Sequence, residues 1–251
     1  MKDQGLFYLA NRNLLDLEGN AYPGRGIVIG LDESGQFLIQ IYWIMGRSAD
    51  SRNRIFVSRE AGQVSTEAAD EKSLKDPSLI IYTAMAQSER SVYVVSNGHQ
   101  TNHVLSHHAL GISLEKEMLK WNYEPDAPNS TARITAVSFF SGKSLITEMS
   151  IVKKSSDSAA AERELYSFPL ESMSPGLGNC LSTYAGDGKP LPPFRGEPYL
   201  LPLNGSGLAL AHSIWNVLDE SNRVSLALKS IDIRSGEATI MLVNKYRSVV
   251  S

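Results

Sequence analysis

The segments Gly26-Ile27-Val28-Ile29-Gly30-Leu31 and Phe37-Leu38-Ile39-Gln40-Ile41-Tyr42-Trp43-Ile44-Met45 flank Asp32-Glu33-Ser34-Gly35. Two apolar runs rich in Ile and Val around a turn that suits glycine at positive φ predict a β-hairpin. Arg133 to Phe140 and Ser144 to Val152, around Ser141-Gly142-Lys143, predict a second. Ile55-Phe56-Val57 could resume strand pairing, and Val92 to Val95, Glu164 to Leu170 and Ala238 to Val243 also read as strands. Leu79 to Ala86 suits helix or strand equally. Thr101 to Trp121 carries apolar residues at helical spacing with Gly111 as an interruption, and Gly207 to Leu218 has amphipathic helical spacing through Leu208, Ala211, Ile214, Trp215 and Leu218. Hairpins punctuated by a few helices predict an α+β fold whose antiparallel sheets are covered by helices.

The chain has 251 residues, 42% hydrophobic and 20% charged, with a net charge of −3. That is ordinary globular composition and lacks the basic excess of a protein that embraces a nucleic-acid polymer. One domain spanning residues 1–251 is expected, because no long flexible linker is evident. Ser58 to Asp76 and Tyr184 to Pro202 read as inserted loops that could cover a site. No run of about 18 apolar residues suggests a membrane span, and Met1-Lys2-Asp3-Gln4-Gly5 opens no apolar leader. A cytoplasmic protein is the expectation. A single cysteine, Cys180, excludes an intrachain disulfide and a thiolate cluster for zinc.

Directly after the first hairpin comes Gly46-Arg47-Ser48-Ala49-Asp50-Ser51-Arg52-Asn53-Arg54, with three arginines in eight residues. Guanidinium groups at the end of a strand suit a phosphate or carboxylate ligand, although such a run also suits a plain solvated loop. It has company in Tyr22-Pro23-Gly24-Arg25-Gly26, Asp76-Pro77-Ser78-Leu79-Ile80-Ile81-Tyr82, Ser96-Asn97-Gly98, Asn122-Tyr123-Glu124-Pro125-Asp126 with Asn129 and Arg133, and Ser182-Thr183-Tyr184. In order and rough spacing this set resembles the archaeal-type IMP cyclohydrolase family from about Tyr22 to Tyr184. It departs in two extra residues between Arg47-Ser48 and Asn53-Arg54, in His99-Gln100-Thr101 after Asn97-Gly98, and in residues 1–20, an extension atypical of the family.

The resemblance implies a four-layer αββα sandwich like that of the N-terminal-nucleophile hydrolases. Their chemistry needs a terminal Cys, Ser or Thr, and Met1 followed by Lys2 supplies none unless the chain is processed. The resemblance also implies ring closure of formyl-AICAR (5-formamidoimidazole-4-carboxamide ribonucleotide) to IMP with loss of water, without a cofactor. It is compatible with a homo-oligomer, which the sequence itself does not show. Carried over position by position, Arg54 would stabilise the oxyanion, Tyr82 would pass a proton to the formyl oxygen and Glu124 would orient or deprotonate the attacking amide. Arg25, Arg47, Ser48, Asn53, Asn97, Asn129, Arg133 and Tyr184 would contact the purine ribonucleotide monophosphate. Sequence cannot say which arginine takes the phosphate. Nor can it dismiss plainer roles: a buried ring for Tyr82, a turn carboxylate for Glu124, a turn signal for Asn97-Gly98.

His99, His103 and His107 recur every four residues with His108 beside them, yet no zincin Glu follows His103. No metal site is expected; the histidines read either as a helix edge near the pocket, where His99 could contact ligand, or as ordinary partly buried side chains. Gly-x-Ser-x-Gly, a phosphate loop ending in Gly-Lys-Ser/Thr and Gly-x-Gly-x-x-Gly are all absent, which argues against a serine hydrolase, a P-loop enzyme and a Rossmann dehydrogenase. Two rivals stay open: a nucleotide-binding or sensory module without turnover, and a cyclase or amidohydrolase acting on a related ribonucleotide.

Overall fold

The computed structural model describes residues 2–59, 62–74, 77, 80–89, 91–141 and 144–246. The first hairpin forms as read: β1 (Gly26–Leu31) pairs antiparallel with β2 (Phe37–Met45), Gly26 opposite Trp43 and Leu31 opposite Leu38. Gly35 sits in its turn at φ +69, a conformation costly for any residue with a Cβ. The Asp32 carboxylate accepts from the backbone N–H groups of Ser34, Gln36 and Phe37, which locks the turn. Side chains then alternate: Ile27, Ile29, Leu38, Tyr42 and Ile44 enter one apolar cluster, while Val28, Ile39, Ile41, Trp43 and Met45 enter another. Both faces of this hairpin are buried, which is why its strands are apolar apart from Gln40 of β2, itself buried.

The hairpin lies inside a six-stranded sheet ordered β11 (Tyr199–Pro202), β10 (Leu177–Ser182), β1, β2, β12 (Arg223–Asp232), β13 (Ala238–Asn244). A seven-stranded sheet runs in chain order through β3 (Ile55–Arg59), β4 (Gln63–Glu67), β5 (Thr83–Ser88), β6 (Val92–Ser96), β7 (Arg133–Ser141), β8 (Ser144–Lys154) and β9 (Ala161–Pro169). Pairing is antiparallel throughout both sheets. Their facing sides share one core, in which Ile27, Ile29 and Tyr42 meet Tyr93, Val95, Ile134 and Met149. Each such side chain contributes roughly 1.5–3 kcal/mol on full burial.

Helices close the outer faces. α5 (Gly207–Val217) sends Leu210, Ala211, Ile214 and Trp215 against the six-stranded sheet, and α1 (Lys2–Glu18) adds Leu17, with Leu14 half-buried beside it. On the other side, Val104 of α3 (Gln100–Ala109) and Leu114 and Met118 of α4 (Leu114–Met118) pack on Val92, Val94, Val137 and Val152. The layers therefore run helix, sheet, sheet, helix, an α+β sandwich.

Several elements differ from the sequence reading. Residues 1–20 hold α1, tied to β11 where Asn13 donates to the Leu200 carbonyl at 2.9 Å. The ambiguous Leu79 to Ala86 segment resolves as strand from Thr83, with Leu79 outside the described residues, as are Asp76 and Ser78 of the same motif and Gly142-Lys143 of the second turn. The Ser58 to Asp76 stretch contains β4, and Tyr184 to Pro202 ends in β11. β4, Gln63-Val64-Ser65-Thr66-Glu67, has a single strongly apolar residue and is recruited by its neighbours, and β11, Tyr199-Leu200-Leu201-Pro202, is only four residues long. Thr101 to Trp121 splits into α3 and α4 at Gly111, whose φ is +78.

Candidate active site

Antiparallel pairing gathers strand ends at one edge of the sandwich. Gly26 lies opposite both Trp43 and Ser182, so Arg25, Arg47 and Thr183-Tyr184 leave the six-stranded sheet side by side. Arg54, just ahead of β3, and Glu124, in the loop ahead of β7, arrive from the seven-stranded sheet. A cavity of about 360 Å³ lies between them, and its wall includes Arg25, Arg47, Ser48, Arg54, Glu124, Asn129 and Tyr184. Gly24, at φ +76, lets the chain pass where a Cβ would stand 2.2 Å from Thr183 Oγ1, and Thr183 Oγ1 accepts from Arg25 N at 3.0 Å.

At the inner end, Arg25 Nη1 donates to Glu124 Oε2 at 2.9 Å, and Arg133 Nη1 lies 4.0 Å from Glu124 Oε1. Glu124 is buried and anchored by its own backbone, N to Thr131 O at 2.8 Å. Arg133 holds its position through Nε to the Asn122 carbonyl, Nη1 to Gln100 Oε1 and a guanidinium 5.2 Å over the Trp121 ring. Arg54 is 4% exposed; Nε donates to the Ser51 carbonyl, but Nη1 has no hydrogen-bond partner among the described residues. Burial lowers the Arg54 proton affinity and Arg25 lowers it further, whereas for Arg25 the lowering by burial is outweighed by Glu124 acting together with Tyr82, Tyr42 and Tyr184, which leaves it well above the usual arginine value. Arg25 and Arg133 thus share one carboxylate, with Arg54 within its electrostatic reach, and an unsatisfied buried N–H costs about 1–3 kcal/mol until an acceptor arrives. The inner end is built to receive an electron-rich oxygen.

Tyr82 does not line this cavity. Its hydroxyl lies 2.6 Å from that of Tyr42, both residues are buried, and the pair sits within electrostatic reach of Arg25 and Arg54. Nearer the mouth, Tyr22 and Tyr184 stack with ring centroids 6.0 Å apart, and Tyr184 hydrogen-bonds Thr131, which also bonds Asp126. Arg47 lies 4.9 Å over the Tyr22 ring and is paired with Asp187, Nη1 also donating to the Gly188 carbonyl at 3.0 Å.

Residues 22–236 match the family described as IMP cyclohydrolase-like protein. The chain belongs to that family. No curated protein and no solved structure matches it. The match starts at Tyr22, so α1 lies outside the shared IMP cyclohydrolase-like region.

Two residues that the family resemblance nominates for substrate are committed elsewhere. Asn53 clamps the Asp70 backbone, donating to its carbonyl at 2.8 Å and accepting from its N–H at 2.7 Å. Asn97 joins strand ends, donating to Ala132 O and accepting from Ile134 N and Gln100 Nε2. Neither lines the cavity, and nor does Arg133, which stands behind Glu124. Asn129 does, while accepting from Leu191 N at 3.3 Å. Ser48 caps the single turn α2 (Ala49–Arg52) through Ser51 and also faces the cavity. The histidines serve packing: His107 and Lys120 pair with buried Glu117, which also accepts from Trp121 Nε1 at 3.1 Å, and His103 meets the Trp121 ring edge-on at 5.4 Å. His99 stands edge-on to Tyr82 at 6.3 Å. No group of three metal-ligating side chains occurs among the described residues, and no helix there is long and apolar enough to cross a membrane. Sequence reasoning passed over Tyr42, Thr131 and Asp187. Only Tyr42 carried a signal, as a polar hydroxyl in a strand whose other polar side chain is Gln40.

Proposed function

We propose that the chain closes the second ring of the purine, converting formyl-AICAR to IMP with loss of water, as a cytoplasmic enzyme of purine biosynthesis. The observation that carries this reading is the buried, unpartnered Nη1 of Arg54 on the cavity wall beside the Arg25–Glu124 pair. The carboxamide nitrogen attacks the formyl carbon, forming the C–N bond while the carbonyl π electrons move onto oxygen. Arg54 Nη1 donates to that oxyanion and Glu124 accepts a proton from the amide nitrogen. The oxygen then leaves as water, carrying one proton passed through Glu124 and a second that Glu124 takes in turn from the formamide N–H, while Tyr82 acts from behind the wall. Atoms and charge balance without a redox partner.

Holding the two ends of one molecule together supplies much of the rate, since an amide is a poor nucleophile. Arg47 and Ser48 take the 5′-phosphate at the mouth, where Arg47 exchanges Asp187 for the ligand, and Tyr22 and Tyr184 flank the nucleotide. Arg133 and Asn97 act behind the wall, and Asn53 through the loop that it clamps. The test is formation of IMP from formyl-AICAR followed by absorbance, with Arg54→Ala alongside. Turnover falling at least about 100-fold in the variant supports the reading; saturable IMP binding without turnover in the wild type sinks it in favour of a binding module.

A further inference from the structure

We infer that Asp126 reads the sugar: its carboxylate accepts the 2′- and 3′-hydroxyl protons of the ribose, so that the cavity selects a ribonucleotide over its deoxy counterparts. This deepens the ring-closure reading above and rests on it for the nucleotide. Asp126, Thr131 and Tyr184 all line the cavity. A line of contacts places them between its two ends. Glu124 N donates to the Thr131 carbonyl at 2.8 Å at the inner end, and Thr131 Oγ1 meets the Tyr184 hydroxyl. Tyr184 stacks on Tyr22 at 6.0 Å, and Arg47 lies 4.9 Å over the Tyr22 ring at the mouth. With the base at Glu124 and Arg54 and the phosphate at Arg47, the stretch between them falls to the sugar.

Counting protons fixes which groups are left to bind it. Thr131 directs both of its donors at Asp126: its N–H reaches Oδ1 at 2.7 Å and its hydroxyl reaches Oδ2. A threonine hydroxyl carries a single proton, so the bond between Thr131 Oγ1 and Tyr184 runs from the Tyr184 hydroxyl to Thr131. Tyr184 then has no proton for a ligand. An ionised carboxylate accepts about four hydrogen bonds and donates none. Thr131 takes one acceptor position on each Asp126 oxygen, which leaves each oxygen free to accept from outside. That pattern suits two neighbouring hydroxyl donors. A phosphate or formyl oxygen brings acceptors only, and the same carboxylate repels it towards the arginines at either end. Within the nucleotide, the cis diol is the part whose chemistry matches. Asp126 is fixed for this by a turn, in which Asn129 N donates to its backbone carbonyl at 3.1 Å.

Titration calorimetry of the whole chain with IMP, 2′-deoxy-IMP and 3′-deoxy-IMP tests this, because the three ligands share base and phosphate and the readout needs no turnover. In the wild type each missing hydroxyl is expected to weaken binding at least about tenfold, as loss of a hydrogen bond to a charged group does. Asp126→Asn turns one acceptor oxygen into a donor. It is expected to cut each preference to about threefold or less through weaker IMP binding, with 2′-deoxy-IMP affinity within about threefold of wild type. Equal affinity of the wild type for IMP and 2′-deoxy-IMP overturns the inference without any variant. A preference that survives Asp126→Asn also overturns it, with Asp50 as the next carboxylate on the wall. Failure to form IMP from formyl-AICAR, with the ribose preference intact and lost in Asp126→Asn, sinks ring closure and leaves the sugar reading standing. Absence of any nucleotide binding sinks both.

Discussion

Glu124→Gln keeps the shape of the side chain and deletes the charge shared by the guanidiniums at the inner end. Arg25 and Arg133 are 12% and 11% exposed at the side chain, so neither is well screened by water. Removing one partner of a buried ion pair costs roughly 3–5 kcal/mol, chiefly because a buried charge is left uncompensated. The amide oxygen of glutamine can still accept from Arg25, which places the expected loss near the lower bound, at about 3 kcal/mol. For a chain of this size each kcal/mol lowers Tm by about 2–4 °C. The melting temperature should therefore fall by about 6–12 °C in scanning calorimetry of the nucleotide-free protein. Saturating inorganic phosphate or IMP should recover part of the loss, because an anion replaces the missing carboxylate. Turnover should fall by about 10²- to 10⁴-fold, as expected for loss of an acid–base group. A variant that melts within about 2 °C of wild type would refute the shared-charge account of the inner end, whatever its activity.

Lys229 on β12 is fully buried between the sheets, where Nζ donates to the Gly62 carbonyl at 2.6 Å and to Gln87 Oε1 at 3.1 Å, and burial lowers its pKa from 10.5 to about 7. The unfolded chain thus binds more protons between those values, so stability should rise from pH 7 towards pH 10.5. Urea titrations should show a gain of about 2 kcal/mol between pH 7 and pH 9 in wild type that Lys229→Met lacks; parallel curves would contradict it. Arg47→Ala should raise KM for the nucleotide about tenfold with kcat little changed, since Arg47 works at the mouth; a loss confined to kcat would place it at the reacting end instead.

Much of the fold was readable in the sequence because its strands announce themselves. Both faces of β1 and β2 are buried, so the strands are apolar apart from Gln40, and the Asp32 to Gly35 turn carries its own chemistry. β12 was not read although it lies beside β2, because Ser225 and Lys229 interrupt its apolar pattern while facing polar partners inside the sandwich. β4 reads as loop for a related reason, since its ladder comes from adjacent strands rather than from strong propensity of its own, and β11 because it is only four residues long and ends in Pro202. α1 has a weak apolar stripe and precedes the family match, so neither pattern nor resemblance pointed to it.

The ordered motifs by themselves determined the family, the α+β class and the identity of the residues near the cavity, because each motif sits at a strand end and strand ends follow from local pattern. Which of those residues meet was decided only by tertiary structure. Arg25 reaches Glu124 across 99 positions and Arg47 reaches Asp187 across 140, contacts that depend on the register of both sheets and on their stacking. The same asparagine that reads as a ligand in a motif becomes scaffolding when both ends of its amide are taken by backbone, as at Asn53 and Asn97. Tyr42 gained its partner only when two sheets faced each other, since nothing local brings a β2 hydroxyl to Tyr82. Hydrogen bonds are short-ranged and directional, so a sequence can supply the groups while only the packed layers select the pairs.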